Sequence, residues 1–437
     1  MRTPYPFKAL LFAACAFPVA GLAQMDYWVA SSFGSRFNDV NDNGTAISGG
    51  AYFDFATETW TFMEEEATEM VSINNNGDVA GSMYLDEPNF ILQPAYKRNG
   101  TWSPIGWFPA SNPQESSFTT YSISPNGIWV TGQMSIGCCD FGTFKYNTET
   151  NVLTEVFSPD YAAVAGYVIT NDGTIGGWAD DEGLNGGTRR IPVYITPELE
   201  IVQVSPVLPE FGVNAVNDIN ASSLMVGDLD GHAFVFDGST ETFTTFDIPA
   251  DYETATFTSV SNNGVAVGYA QRFGEFGSLL RDAIVYHPSL GAQPVFLKDI
   301  LLENGVDIAA PTGRMGTAYA ISPNGDYVAG WDDQAPFSAN GWVVYFDGLL
   351  ISTGIATNAD QGPIVSVFPN PTEEFLTISS PTDIERIMLF NAQGQMVAQQ
   401  ALRMRTGTMD LKRFASGLYT LRATTAQGTY ERNVVKR

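Results

Sequence analysis

Cysteine is almost missing from this 437-residue chain: there are three, one of them inside an apolar N-terminal stretch. Beyond that stretch only Cys138 and Cys139 remain, which excludes a disulfide framework and a cysteine-rich metal cluster. Adjacent Cα atoms sit about 3.8 Å apart across a trans peptide, below the usual disulfide range, so a bond between them would be strained; two free thiols in a loop are the alternative. Histidine is scarcer, with only His232 and His287. Neither has a His or Cys at ligand spacing, so both read as half-buried strand residues, and no Ser-His-Asp triad can be assigned. Cations are few: 21 Lys and Arg face 48 Asp and Glu, a net charge of −27. That balance argues against nucleic acid and anionic membrane surfaces as partners. Beyond residue 23 no apolar run is long enough to cross a bilayer, and no long segment keeps a helical period. The glycines lack the strand-to-helix setting and the Lys of a phosphate loop.

What is present is a repeat. Its clearest copy runs from Ala320 to Trp331, with Asn324-Gly325 between two short apolar runs and Gly330 after them. Asn-Gly flanked by apolar alternation predicts a tight type I′ hairpin, and the later glycine predicts a bend or a close backbone approach. The same grammar appears at Gly44, Gly77, Gly127, Gly173 and Gly264, with a degenerate copy at Asn220-Ala221. Taking Ala221 as the missing glycine, the intervals are 33, 50, 46, 48, 43 and 61 residues. The mean is about 47, between the periods of known propeller repeats. Each copy continues into a small residue and alternating aromatics, as in Ala233 to Phe236 and Ala283 to Tyr286, then a further extended stretch. Four short strands per copy predict an all-β chain with a seven-bladed β-propeller, six or eight blades being the alternatives. Met25 to Ser32, ahead of the first copy, is extended and suited to completing the last blade.

Gly231-His-Ala-Phe234, after these Asn-x-x-Gly hairpins, resembles the HAF repeat of extracellular bacterial proteins. The resemblance spans roughly residues 36 to 350, and only this copy spells His-Ala-Phe. It implies little about activity.

In chain order, residues 1–23 read as a signal peptide: Arg2 and Lys8, an apolar core, then Gly21 and Ala23 before a cleavage site. A lipoprotein reading would use Cys15, but Phe12 fits that signal poorly. Residues 24–351 are expected to form the propeller, 352–363 a linker, and 364–437 a separate β-sandwich. Residues 24–363 carry 10 basic and 42 acidic residues, whereas 364–437 carry 9 and 6, so the sign of the charge changes at the linker. The C-terminal stretch, with Phe368, Pro369, Asn370 and Pro371, Leu389 to Gly394, Gly417, Leu418 and Tyr419, and a basic end, resembles the sorting domain of the type IX (Por) secretion system of Bacteroidota. The resemblance implies the secretion machinery as a partner. It also implies passage through the periplasm, then release or attachment to surface lipopolysaccharide after the domain is removed.

One constellation of chemistry stands out. Loops after the second strand of each copy are acidic, with Asp140, Asp180, Asp181, Asp228, Asp230, Asp332 and Asp333, and aromatics such as Trp178 and Trp331 accompany them. Repeat symmetry predicts that they share one face, opposite the Asn-Gly turns. Carboxylates and aromatics there suit a cation such as Ca²⁺, a cationic ligand or a sugar. Asp39 to Gly44 opens like a calcium loop, but Gly50 stands where the closing acid would be. Two functions follow: a non-catalytic binding, adhesion or scaffold module with a glycan or surface ligand, or a polysaccharide hydrolase or lyase using paired carboxylates.

Overall fold

The computed structural model describes residues 26–29, 36–64, 67–85, 91–106, 116–136, 140–181, 189–210, 212–274, 278–304, 306, 314–335, 338–346, 366–368, 372, 374–391, 396–425 and 428–437. The signal segment, Cys138, Cys139, the 352–363 linker and Pro369 to Pro371 lie outside these residues, as do the side chains of Asp140, Asp333 and Leu418. The chain divides into two compact units, one reaching Leu350 without 286–294 and the other holding Tyr286–Pro294 with Ile351–Arg437.

The first unit is built from four-stranded antiparallel sheets. Sheet I comprises Phe37–Val40, Thr45–Ser48, Ala51–Asp54 and Thr59–Phe62. Sheet II comprises Ala67–Ile73, Val79–Leu85, Ile91–Arg98 and Thr101–Pro104. Sheet III (Ser116–Ile123, Trp129–Ile136, Asp140–Asn147, Val152–Val156) and sheet IV (Ala163–Ile169, Ile175–Asp180, Arg190–Ile195, Ile201–Gln203) are joined by one parallel bridge, Phe141 to Ala163. Sheet V comprises Ala215–Ile219, Leu224–Leu229, His232–Asp237 and Thr242–Thr245. Sheet VI comprises Thr254–Val260, Ala266–Phe273, Leu279–Tyr286 and Val295–Phe296. Sheet VII takes Thr317–Ile321, Tyr327–Ala335 and Ser338–Tyr345, and its outer strand is Asp26–Val29 from the other end of the unit. The first strand of each sheet packs on the sheet before it, and that of sheet I packs on sheet VII, so the series closes on itself. A single helix interrupts the described strands, Leu297–Glu303; it is too short for its one buried pair, Leu297 and Leu301, to register as a period.

The core lies between sheets rather than within one. Ile47 of sheet I meets Met70, Val79 and Trp102 of sheet II. Phe37 and Phe53 of sheet I meet Ala320, Ala329 and Val343 of sheet VII. One sheet exposes two apolar faces, so each needs a neighbour on both sides.

Every first strand carries an extra residue at the same place in the repeat, and that of sheet II slips a second time, between Ala67 and Glu69. The register slips at Asn38, Val71, Tyr121, Tyr167, Asn217, Thr258 and Tyr319, each a β-bulge. The residue before the bulge faces a glycine of the second strand in six sheets. There the carbonyl two residues before the bulge comes so near that a Cβ on Gly330 would sit 1.9 Å from Thr317 O, and one on Gly177 1.8 Å from Ala165 O. The expected close approach is therefore real, and the bulge is its cause.

In the second unit, Leu376, Ile378, Ile387, Leu389, Leu421 and Val434 form the core. Its longest strand, Phe375–Asn391, runs through with an irregularity after Ser379. It pairs with both Met396–Asp410 and Gly417–Thr425, so the expected sandwich is a single hydrogen-bonded sheet. Tyr419 is buried and its hydroxyl donates to Ala415 O at 2.8 Å.

The Asn-Gly turns differ from expectation. In Ser322 to Gly325 the glycine N–H donates to Ser322 O at 2.8 Å. Gly325 has φ +83°, and Asn324 is not among the residues with positive φ. The loop is an ordinary turn closed by a left-handed glycine rather than type I′, which would need two such residues. In the degenerate copy the left-handed position belongs to Ser223, φ +61°, whose N–H donates to Asn220 O, and not to Ala221. A non-glycine residue is penalised there by about 1–2 kcal/mol. Ser223→Gly should therefore stabilise the protein by about 1 kcal/mol, and Gly325→Ala should destabilise it, both read as shifts in denaturation midpoint.

Candidate functional site: the bulge ring and its cavity

The seven bulge residues all line one cavity of about 1040 Å³, enclosed by the first strands of every sheet. A bulge re-aims the side chain it inserts, and here it aims one from each sheet at the same space. The seven divide by chemistry. Asn38 donates to Met70 O at 2.9 Å, Asn217 to Phe257 O at 2.8 Å and Thr258 to Ala318 O at 2.8 Å. Each ties its sheet to the next one. Three of the other four are Tyr121, Tyr167 and Tyr319, too long to make that tie, and they present rings to the cavity. Tyr121 and Tyr167 meet edge to face at 5.3 Å, and Tyr319 lies 4.8 Å from Trp331. Tyr319 is 42 % exposed. Burial raises the phenol pKa of Tyr121 and Tyr319, and neighbouring tyrosines push the same way.

In five sheets the residue after the bulge serves the next sheet's backbone. Ser72, Ser122 and Ser259 hydroxyls accept from the N–H groups of Ile123, Ile169 and Ile321. At the corresponding positions of sheets IV and VII stand Val168 and Ala320, which have nothing to offer. The sheets that follow carry Asp218 and Asp39 instead. One oxygen of each accepts its own neighbour's N–H (Ile219 and Val40, both 2.8 Å), and the other accepts from the next sheet (Val260 and Ile73, both 2.8 Å). Two bidentate aspartates thus cover the two gaps left by apolar residues.

A second ring of positions follows the second-strand glycines. Asp228, Tyr269 and Trp331 from it line the cavity. Trp178 does not: it is buried, donates its indole N–H to Tyr167 Oη at 2.9 Å, and lies 4.0 Å under the Arg190 guanidinium. Asp228 accepts from Thr256 Oγ1 at 3.0 Å and from Asn217. Burial pushes its carboxyl from 3.8 up to about 7, and does the same to Asp39 against its backbone hydrogen bonds. Arg281, from the third strand of sheet VI, also faces the cavity; it lies 4.4 Å over Tyr269, and its Nε donates to Gln271 Oε1 at 3.1 Å.

The remaining sequence candidates scatter. Asp230 lies at the cavity edge and accepts the Glu210 N–H. Asp332 is buried in a separate pocket of about 220 Å³ with Arg36, Arg281 and Arg314. Asp181 pairs with Arg189, and Asp180 accepts the Arg189 N–H at 3.2 Å. For Asp140 and Asp333 only the strand positions are described. Among the described residues no three acidic or His groups converge to hold a metal ion. His232 sits in its strand with Nδ1 3.0 Å from Phe246 O, and His287 contacts Ser289. The tyrosines, Gln271 and Arg281 escaped sequence reading. The tyrosines share one place in the repeat, three residues before the first turn residue, and alignment of the copies on that turn would have shown it.

Residues 366–437 match the family described as the secretion system C-terminal sorting domain. This type IX sorting domain assigns the protein to the cell surface or the extracellular medium. No helix among the described residues is long and apolar enough to cross a membrane. No curated protein matches the chain. Among solved structures, PorZ of Porphyromonas gingivalis, a surface component of the type IX secretion system, is similar at 13% identity over 90% of this chain and 56% of its own, with a TM-score of 0.43. The extracellular domain of BT4673 from B. thetaiotaomicron matches at 9% identity over 94% of this chain and 59% of its own, TM-score 0.44. Porphyromonas gingivalis dipeptidyl peptidase 4 matches at 11% identity over 84% and 58%, TM-score 0.40. This chain therefore spans under two thirds of each, and scores this low say nothing of function.

The raised carboxyls give the cavity a pH signature. A carboxyl with a higher pKa folded than unfolded binds its proton more tightly in the native state. Its contribution to stability is full below about 4 and is lost as pH rises through about 7. The melting temperature should fall between pH 5.5 and pH 8, and Asp228→Asn should flatten that fall. An equal slope in the variant would show that Asp228 is ionised throughout.

Proposed function

We propose that the first unit is a seven-bladed β-propeller of HAF-like repeats, about residues 24–351, acting as a non-catalytic binding, adhesion or scaffold module outside the cell. The observation that carries this reading is the division of the bulge ring. Its polar members are used up in ties between sheets, while its tyrosines face a cavity large enough for a small ligand. Aromatic faces with a few fixed polar groups suit a glycan or another surface ligand. The acidic loop aspartates fit the reading less as a metal site than as partners of arginines, as Asp181 is of Arg189.

The second reading, a polysaccharide hydrolase or lyase, is favoured by one feature: Asp228 lies in the cavity with its carboxyl raised to about 7, where an acid can donate. Against it, Asp39 is raised to the same value rather than driven apart from it, and both its oxygens are held by backbone N–H groups.

In this reading residues 1–23 direct export to the periplasm and 364–437 direct the second step through the type IX machinery, joined by the 352–363 linker. Removing residues 366–437 should leave the propeller in the periplasm; equal surface and medium levels with and without them would refute the sorting role. On a glycan panel the mature protein should bind at least one saccharide without consuming it. Tyr319→Ala should weaken that binding by about tenfold or more, in line with 1–3 kcal/mol for an aromatic stacking contact.

A further inference from the structure

Arginine is distributed unevenly in this acidic unit. Six of the ten basic residues between 24 and 363 are Arg36, Arg189, Arg190, Arg272, Arg281 and Arg314. All six lie at strand ends away from the Asn-Gly turns. Most are committed: Arg189 pairs with Asp181, and Arg314 and Arg272 lie 3.0 and 4.0 Å from Asp282. Arg281 is different. Among the described residues it has no acidic partner, although the unit holds four acids for every base. It is fixed instead by neutral groups, the Tyr269 ring beneath it and Gln271 Oε1 at its Nε. It is also the cavity's only cationic side chain among the described residues.

That arrangement holds a guanidinium still, outside any ion pair among the described residues, and turns it toward a space walled by tyrosines. A guanidinium in this state is prepared for a planar anion, which it can bind by two parallel N–H bonds. The tyrosines add the second half of the recognition. Tyr319, exposed in the cavity, lines the same space as Tyr269, which carries Arg281. An anion on Arg281 therefore brings the group attached to it against aromatic faces. A ring that is apolar on its faces and hydroxylated at its edges fits these phenols.

Resting on the binding reading above, we propose that the cavity takes an acidic saccharide, with its sugar face on Tyr319 and its carboxylate or sulfate on Arg281. Five carboxyls line the cavity, of Asp39, Asp218, Asp228, Asp230 and Glu253, and burial raises the first three, which lessens the negative charge such a ligand meets near neutral pH. A cationic ligand would meet Arg281 as a like charge and gain nothing from it.

The test is calorimetric titration of the mature full-length chain with oligomers of galacturonic, glucuronic and guluronic acid and of a sulfated galactan. The methyl ester of the galacturonic oligomer and the desulfated galactan serve as uncharged counterparts. At least one acidic oligomer should bind, at least tenfold more tightly than its uncharged counterpart. The uronate and sulfate arms show which anion is used. Arg281→Gln should abolish the difference between charged and uncharged forms, Arg281→Lys should keep part of it, and Tyr319→Ala should weaken both forms alike. The melting temperature of each variant verifies its fold. Equal binding of charged and uncharged forms, or an unchanged preference in folded Arg281→Gln, overturns the acidic ligand and leaves the binding reading standing. If a folded protein binds none of these saccharides, the acidic ligand is overturned. If the wider glycan panel is then also empty, the binding reading falls with it.

Discussion

Everything in the repeat unit depends on one irregularity, the extra residue in the first strand of each sheet. It pushes a carbonyl toward the second strand, where only a glycine leaves room in six sheets, with a Cβ otherwise 1.8–2.0 Å from that oxygen. It interrupts the ladder, so backbone groups at the sheet boundary need partners from the neighbouring sheet. It turns one side chain per sheet into the cavity. The glycine pattern, the polar residues near the turns and the composition of the site are three results of a single backbone event.

The ring has little freedom at these positions, which explains where function can enter. A bulge filled by Asn or Thr ties sheets together; one filled by Tyr gives up that tie and offers a ring to the cavity. The residue after it obeys a similar rule, because a sheet that follows Val168 or Ala320 carries an aspartate with both oxygens in use. Those aspartates are expensive to bury, and Asp39 rises to about 7 as a result. The same burial makes the interior less acidic than the composition suggests.

The sequence spelled out the strands and the period because each copy carries a turn and a glycine whose physical causes are local. Asp26–Val29 could be anticipated as a completing strand, since an extended segment ahead of the first copy has a vacant place to fill. The degenerate turn was misplaced by two residues, at Ala221 instead of Ser223, because a left-handed serine has no signature of its own. The candidate site was legible only in part. Asp228, Asp230 and Trp331 reach the cavity, but Asp181 is neutralised by Arg189 and Trp178 is buried against Tyr167. Acidity in a loop says nothing about which arginine will meet it. The tyrosines were hidden because a bulge reverses the inward and outward alternation that a strand otherwise obeys.

The closing strand has a consequence for how the molecule is made. Asp26–Val29 pairs with Trp342–Tyr345, more than 300 residues away along the chain. Closing a loop of that length carries an entropic penalty near 5 kcal/mol by the logarithmic rule, to be met by four residues of pairing and the packing that comes with them. Sheets I to VI can each assemble from residues close in sequence, whereas sheet VII waits for both ends of the unit. The ring thus stays open until almost all of its chain is present, and no earlier part of it can lock the unit shut.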